Sequence, residues 1–323
     1  MLNRTLVAAG WAFAACLAQA QGFPSKPITF VVPYPAGGGT DVIARSLAED
    51  MGHRLGQPIV VDNKPGASGI LGTLAVAKAP ADGYTVLVSL VQSALTNKFL
   101  FKKLPYDTKR DLAFVSEIAT GPMVLATNAQ VVPAADIKAF LDWAAKNKGK
   151  VNYGSWGTGS YPHLVGALMS KENDLDMTHI AYKGEAPMVQ DLVAGQISFA
   201  VGAPMTLKPY IDSGRLRALA VTGSDRSSVL PQVPTFAEAG IKDAAFSVTG
   251  WLGLLVPAGT PPATVAKLED AAREAVRSSR LQARFQVLGM RGIGSTAAQF
   301  RADYDVDLPV WERLVKVSGA QLD

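Results

Sequence analysis

The sequence predicts an α/β protein made of two similar units, and three observations carry that expectation. Strand and helix patterns alternate between residues 28 and 88, as in a βαβαβ unit with a parallel sheet. A second alternation of the same kind starts at Val151. Gly-rich turns join a strand to a helix at corresponding places in both units, at residues 37–39 and 154–160. With no low-complexity linker between them, the units form a packed or hinged pair, and clefts between domains are preferred ligand sites.

In chain order, Ile28–Val32 is an apolar β-branched run that reads as a buried strand. Pro33, Pro35 and the three glycines stop it, Thr40 is placed as N-cap, and Ile43, Leu47, Met51 and Leu55 recur at helical spacing until Gly56. Residues 59–61 form a short strand, 70–78 a helix, and 84–88 the next strand. Residues 123–126 are extended, and Pro133 opens a helix with Ile137, Phe140, Leu141 and Ala144 on one face. Residues 151–153, 178–182, 197–201 and 217–222 read as strands. The helix with His163, Leu164 and Leu168 follows the first of these, and a helix at 187–193 the second. The last third holds a strand at 251–256 and amphipathic helices at 262–278 and 296–317.

Composition narrows the function classes. The 323 residues are 48% hydrophobic and 18% charged, which suits one large or two medium domains. The net charge of +4 comes from 31 basic and 27 acidic residues spread along the chain, without the basic stripe that nucleic-acid binding needs. Residues 1–20 read as a signal peptide, with Arg4 as the positive region, 5–17 as the apolar region and Ala18-Gln19-Ala20 as the cleavage site. Cleavage near Ala20/Gln21 gives an exported chain, and Cys16 is lost with the leader, so disulfides and cysteine-ligated metals drop out. The competing reading, a lipoprotein acylated at Cys16, has Phe13 where a lipobox usually has Leu.

The first Gly-rich turn is the leading candidate site. A strand running into glycines that open a helix aims free N–H groups and the positive end of the helix dipole at one point, an anion pocket without a cation. The candidate donors are the N–H groups of Gly38, Gly39 and Thr40, with those of Gly157, Thr158, Gly159 and Ser160 from the second turn. The hydroxyls of Thr40, Ser155, Thr158 and Ser160 add capacity. Neither turn is G-x-G-x-x-G and neither ends in Gly-Lys-Ser/Thr, so nucleotide binding is not indicated. His53, His163 and His179 show no metal-ligand spacing. Asp41 has two readings, a partner for the helix dipole or for a ligand amine, and the dipole needs fewer assumptions. Ser160 and His163 could be a nucleophile and its base, but i, i+3 at a helix start favours capping. Tyr34, Trp156, Tyr161 and Tyr182 either wall a ligand or pack between layers, and loop placement favours ligand contact for Tyr34 and Trp156.

These residues also carry a resemblance. Residues 33–41, Pro-Tyr-Pro-Ala-Gly-Gly-Gly-Thr-Asp, resemble the P-[FY]-P-A-G-G-x-x-D signature of the Bug family, the extracytoplasmic solute-binding proteins of tripartite tricarboxylate transporters. Residues 62–69, 77–84, 155–164 and 182–196 resemble further family segments, in order along the mature chain. The resemblance implies a two-lobed periplasmic-binding-protein fold of type II, each lobe a mainly parallel sheet flanked by helices. It also implies a carboxylate held between the first turn and the 155–160 loop, with bound waters assisting. Tyr161-Pro162 and Gly39 depart from the usual pattern and bear on the distal pocket.

The expectation is therefore a periplasmic receptor with lobe I at residues 21–123 plus 249–323 and lobe II at 124–248. It captures a small organic carboxylate as a monomer and delivers it to integral-membrane transporter subunits, with no catalytic residue, cofactor, metal or nucleic acid. Tyr182 lines the organic body, and Asp41, Ser89, His163 and Gly184 complete the candidate ligand-binding set. The alternatives are a ligand-dependent periplasmic sensor and a hydrolase-like enzyme using Ser160 and His163.

Overall fold

The computed structural model describes residues 22–322. The leader at 1–20, its cleavage site and Cys16 lie outside them. Two sheets organise the rest. The first contains β1 (Ile28–Val32), β2 (Ile59–Asn63), β3 (Thr85–Leu90), β4 (Leu112–Gly121), β10 (Gly250–Pro257) and β11 (Arg291–Gly292), in the order β11-β4-β10-β3-β1-β2. The second contains β5 (Val124–Asn128), β6 (Asn152–Ser155), β7 (Thr178–Ala181), β8 (Phe199–Gly202) and β9 (Leu216–Val221), in the order β7-β6-β8-β5-β9.

Both sheets are mixed, which corrects the expected mainly parallel ones. β1 runs parallel to β2 and β3, and β6 parallel to β7 and β8. β10 is antiparallel to both β3 and β4, and β5 to both β8 and β9. Parallel pairs arise where a helix carries the chain back along the sheet. Antiparallel pairs arise where the chain leaves one sheet for the other and returns. β4 leads out, β10 leads back, and they lie side by side with Gly250 opposite Gly121.

The helices are α1 (Gly39–Leu55), α2 (Ile70–Ala77), α3 (Ile137–Lys146), α4 (Tyr161–Glu172), α5 (Glu185–Val193), α6 (Pro204–Asp212), α7 (Pro262–Val276), α8 (Ser279–Leu288) and α9 (Ala297–Ser318). α1 buries Ile43, Leu47 and Met51 completely among Phe30, Val86 and Leu254 of the sheet and Leu268 of α7. α3 begins at Ile137 rather than at Pro133, because the Asp136 carboxylate accepts from the Ala139 N–H at 2.8 Å and sets the N-cap there. Strand β4 and helices α6 and α8 had no counterpart in the sequence reading. Residues 112–121 mix Ser116, Glu117 and Thr120 into a strand covered on both sides, so the alternation that marks a half-exposed strand is missing.

One core continues from sheet to sheet. α9 packs Phe300 and Tyr304 against Phe114 of β4, with ring centroids 5.1 Å away in each case. Gly253 of β10 allows this approach, since a Cβ there would stand 2.3 Å from the Phe300 ring. Further along, Trp311 of α9 meets Tyr161 of α4 at 5.2 Å, and the Tyr161 hydroxyl donates to the carbonyls of Ala245 and Val248 at 3.0 and 3.1 Å. Arg313 of α9 pairs with Asp243 at 2.7 Å and with Glu172 of α4. The second sheet's helix thus rests on the first unit's longest helix.

Glu117 of β4 is 8% exposed, and burial, with Asp303 and Asp307 facing it from α9, pushes its carboxyl from 4.5 up to about 8. A carboxyl raised on folding stabilises the fold fully below its unfolded value and progressively less as pH rises through the folded one. Glu117→Gln, which keeps the neutral shape, is therefore expected to raise the melting temperature by several degrees at pH 8.5 and far less at pH 5. An equal shift at both pH values in thermal melts contradicts this.

Candidate functional site

Between the two sheets lies a cleft of about 610 Å³, and both Gly-rich turns open onto it. Gly37, Gly39 and Thr40 line it from the start of α1. Trp156, Gly159, Ser160 and Tyr161 line it from the start of α4. A shallower groove of about 760 Å³ runs along α1 and β2, past His53 and Val60, and touches neither turn.

The first turn is fixed by a carboxylate. Helix α1 starts two residues earlier than expected, with Gly38 as N-cap in extended conformation and Thr40 inside the first turn. Thr40 is therefore not the cap. Asp41 supplies the function from inside the helix: its Oδ2 accepts from the Gly37 N–H at 2.9 Å, and Gly37 can turn back because it sits at φ 83°. Arg45 donates to the same carboxylate at 3.0 Å, and Asn63 Nδ2 to its other oxygen at 3.0 Å. Burial by itself would raise the Asp41 carboxyl, but Arg45, the Gly37 N–H and Asn63 outweigh it and hold it below the usual value. Asp41 is 3% exposed and outside the cleft lining, so the ligand-amine reading is not where the structure puts it. The N–H groups of Gly38, Gly39 and Thr40 precede the first intrahelical donor and meet no acceptor among the described residues.

The second turn is engaged with itself. The Gly157 N–H donates to Ser155 Oγ at 3.2 Å, the Gly159 N–H to His163 Nδ1 at 3.1 Å, and the Ser160 N–H to the Gly157 carbonyl at 3.1 Å. These three N–H groups are thus taken up inside the loop, which corrects their assignment as free carboxylate donors. Ser155 is fully buried, 2.7 Å from His179 Nε2. Ser160 donates its hydroxyl to the Gly157 carbonyl at 2.6 Å, and His163 Nδ1 accepts from the Gly159 N–H, so the two side chains are engaged with the loop and not with each other. His163 and His179 stack 3.9 Å apart, and burial lowers both, His179 to about 4, leaving the pair neutral at pH 7.

Other predicted contacts lie off the cleft. Tyr34 points its hydroxyl to Ser93 Oγ at 2.9 Å, and buried Ser89 bonds the same oxygen. Tyr182 donates to Asp191 at 2.8 Å beneath β6. Asp41, Ser89, Ser155, Gly157, Thr158, His163, Tyr182 and Gly184 are absent from the cleft wall, as are Tyr34 and Gly38. What Tyr34 and Ser89 do is anchor a π-helical turn, Gln92–Thr96, whose Gln92 and Thr96 face the cleft. Tyr106 and Thr108 hold the same turn through the carbonyls of Ser93 and Ala94.

The remaining wall was not legible beforehand. It includes Glu185, Met205 and Thr206 from the second unit and Met123, Trp251, Met290 and Trp311 from the first. Among the described residues no lysine, arginine or histidine lines the cleft, and Glu185 is its one charged side chain. These residues come from segments far apart in the chain and share no local motif.

A profile described as "Tripartite tricarboxylate transporter family receptor" (TctC) matches residues 43–315. The periplasmic binding protein BugD is similar in structure, with TM-score 0.75 and 32% identity over 93% of this chain and 99% of its own. Rhodopseudomonas palustris Rpa4515, solved with adipate, gives TM-score 0.79 and 30% identity over 93% of this chain and 100% of its own. MatC from the same organism, solved with malate, gives TM-score 0.74 and 31% identity over 91% of this chain and 100% of its own.

The Asp41 network generates a stability test. Removing one partner of a buried charge cluster leaves the others unsatisfied, so Asp41→Ala is expected to cost about 1–3 kcal/mol in urea unfolding. A cost below ~0.5 kcal/mol contradicts the anchoring role, since surface substitutions stay within that range.

Proposed function

The chain belongs to the tripartite tricarboxylate transporter receptor family, and we propose that its interlobe cleft binds a small organic acid through main-chain N–H groups at the start of α1. As a solute-binding protein of that family, it shares the two-lobed fold of the relatives solved with adipate and malate. What supports the placement is the cleft itself. It joins the unengaged donors of Gly39 and Thr40 to a wall free of cations among the described residues. Each hydrogen bond from such a donor to a charged oxygen contributes about 1.5–3 kcal/mol. Trp156, Tyr161, Trp251 and Trp311 give the organic body an aromatic surround.

The lobes on this reading are residues 21–123 with 249–323, and 124–248. The crossings are the natural hinge: Met123 exchanges hydrogen bonds with Thr222 at 2.9 Å in both directions, and Thr120 bonds the hydroxyl of Thr249. A ligand touching both lobes when closed and one when open favours closure. The closed face would be what a membrane permease, or a sensor receptor, reads. The role is capture rather than catalysis, carried out by a monomer in the periplasm. Ser160→Ala should then weaken binding modestly at most and abolish no turnover.

Calorimetry with mono- and dicarboxylates tests the reading, and heat from none of them would sink it. Three tryptophans line the cleft, so a bound acid is expected to change the intrinsic fluorescence. Because dipoles and neutral donors do the work, affinity for a monocarboxylate should fall less than about threefold between low and high salt. A steep loss, of the kind cationic sites show, would point to a lysine or arginine entering on closure.

A further inference from the structure

We propose that Glu185 makes this cleft select carboxylates that also carry an ammonium group. The inference rests on the carboxylate reading above and adds the second half of the ligand. Glu185 opens α5 and reaches the cleft from the second lobe, opposite the first Gly-rich turn. Its Oε1 accepts from the Ala203 N–H at 2.6 Å and from the Thr206 hydroxyl at 2.7 Å, which fixes the side chain in one place. Its second oxygen takes no hydrogen bond or ion pair from any described residue. A partly buried carboxylate with one oxygen satisfied and the other open to a cleft without cations is placed to take a positive partner there.

The two walls are therefore of opposite character. Gly39 and Thr40 present N–H donors and the positive end of α1, whereas Glu185 presents a negative charge. A ligand with a carboxylate at one end and an ammonium nearby satisfies both. A second carboxylate in the same place would meet Glu185 and could be accommodated only by taking up a proton. Burial raises the Glu185 carboxyl while the Ala203 N–H and Thr206 hydroxyl oppose the rise. An ammonium beside it would oppose it further.

A purely structural role is the competing account, in which Glu185 ties the start of α5 to the start of α6. That tie uses Oε1 alone, and Gln can make it with its own carbonyl oxygen. Glu185→Gln thus keeps the tie and removes the charge.

The test is calorimetry on the full mature chain and on Glu185→Gln at pH 7.5. Its probes are succinate with aspartate, glutarate with glutamate, and 3-phenylpropanoate with phenylalanine. The wild-type chain is expected to bind the amino-bearing member of at least one pair about tenfold tighter or better, and E185Q to bring that ratio within about threefold. Thermal melts of E185Q establish that it folds; should it not, the wild-type ratios decide alone. Equal or tighter binding of the member without nitrogen, or an unchanged ratio in folded E185Q, overturns the proposal while leaving carboxylate capture intact. Silence from every probe and from the wider carboxylate panel overturns the underlying reading as well.

Discussion

A carboxylate held without a cation has to find main-chain N–H groups that are already immobile. Water solvates such an anion well, so donors that must first be ordered lose most of their advantage to entropy. On the proposed function, this requirement accounts for the construction around α1. Asp41, which looks at first like a charge offered to a ligand, turns inward and fastens Gly37, with Arg45 and Asn63 closing the ring. The loop is thereby rigid, and Gly38, Gly39 and Thr40 keep their donors free.

The same requirement explains why the two Gly-rich turns are not equivalent. The second is just as firmly held, but by its own N–H groups, through Ser155, His163 and Gly157. Those donors are used to build the loop, so what it gives the cleft is surface, from Trp156, Ser160 and Tyr161. The stacked His163 and His179 belong to that support, bonding the Gly159 N–H and Ser155. One turn leaves N–H donors free at the cleft and the other gives it wall. The π-helical turn at Gln92–Thr96 adds a third polar contribution, propped from behind by Tyr34 and Ser89.

Holding two units around one cleft places its own demand on the sheets. The strands that cross between them run against each other, and α9 spans the junction from Phe114 to Tyr161. Gly253 is needed for the first of those contacts and the paired Tyr161 hydroxyl for the second. Asp303 and Asp307 of the same helix face Glu117 of β4, a cost tolerated where packing fixes the backbone.

Much of this was legible from sequence alone. Local period and turn chemistry determined the strand–turn–helix units, the two glycine-rich openings and the cation-free character of those loops, because each depends on a few neighbouring residues. The family motif implied a ligand at the same turns, and both turns do open onto the cleft. Tertiary structure alone decided which N–H groups stay free, since the acceptors of Gly37 and Gly159 are side chains whose rotamers no local pattern sets. It also decided that Tyr34 and Tyr182 turn away while Trp251, Trp311 and Glu185 turn in. A cleft wall gathered from segments hundreds of residues apart is fixed by how the units pack, and packing is a property of the whole chain.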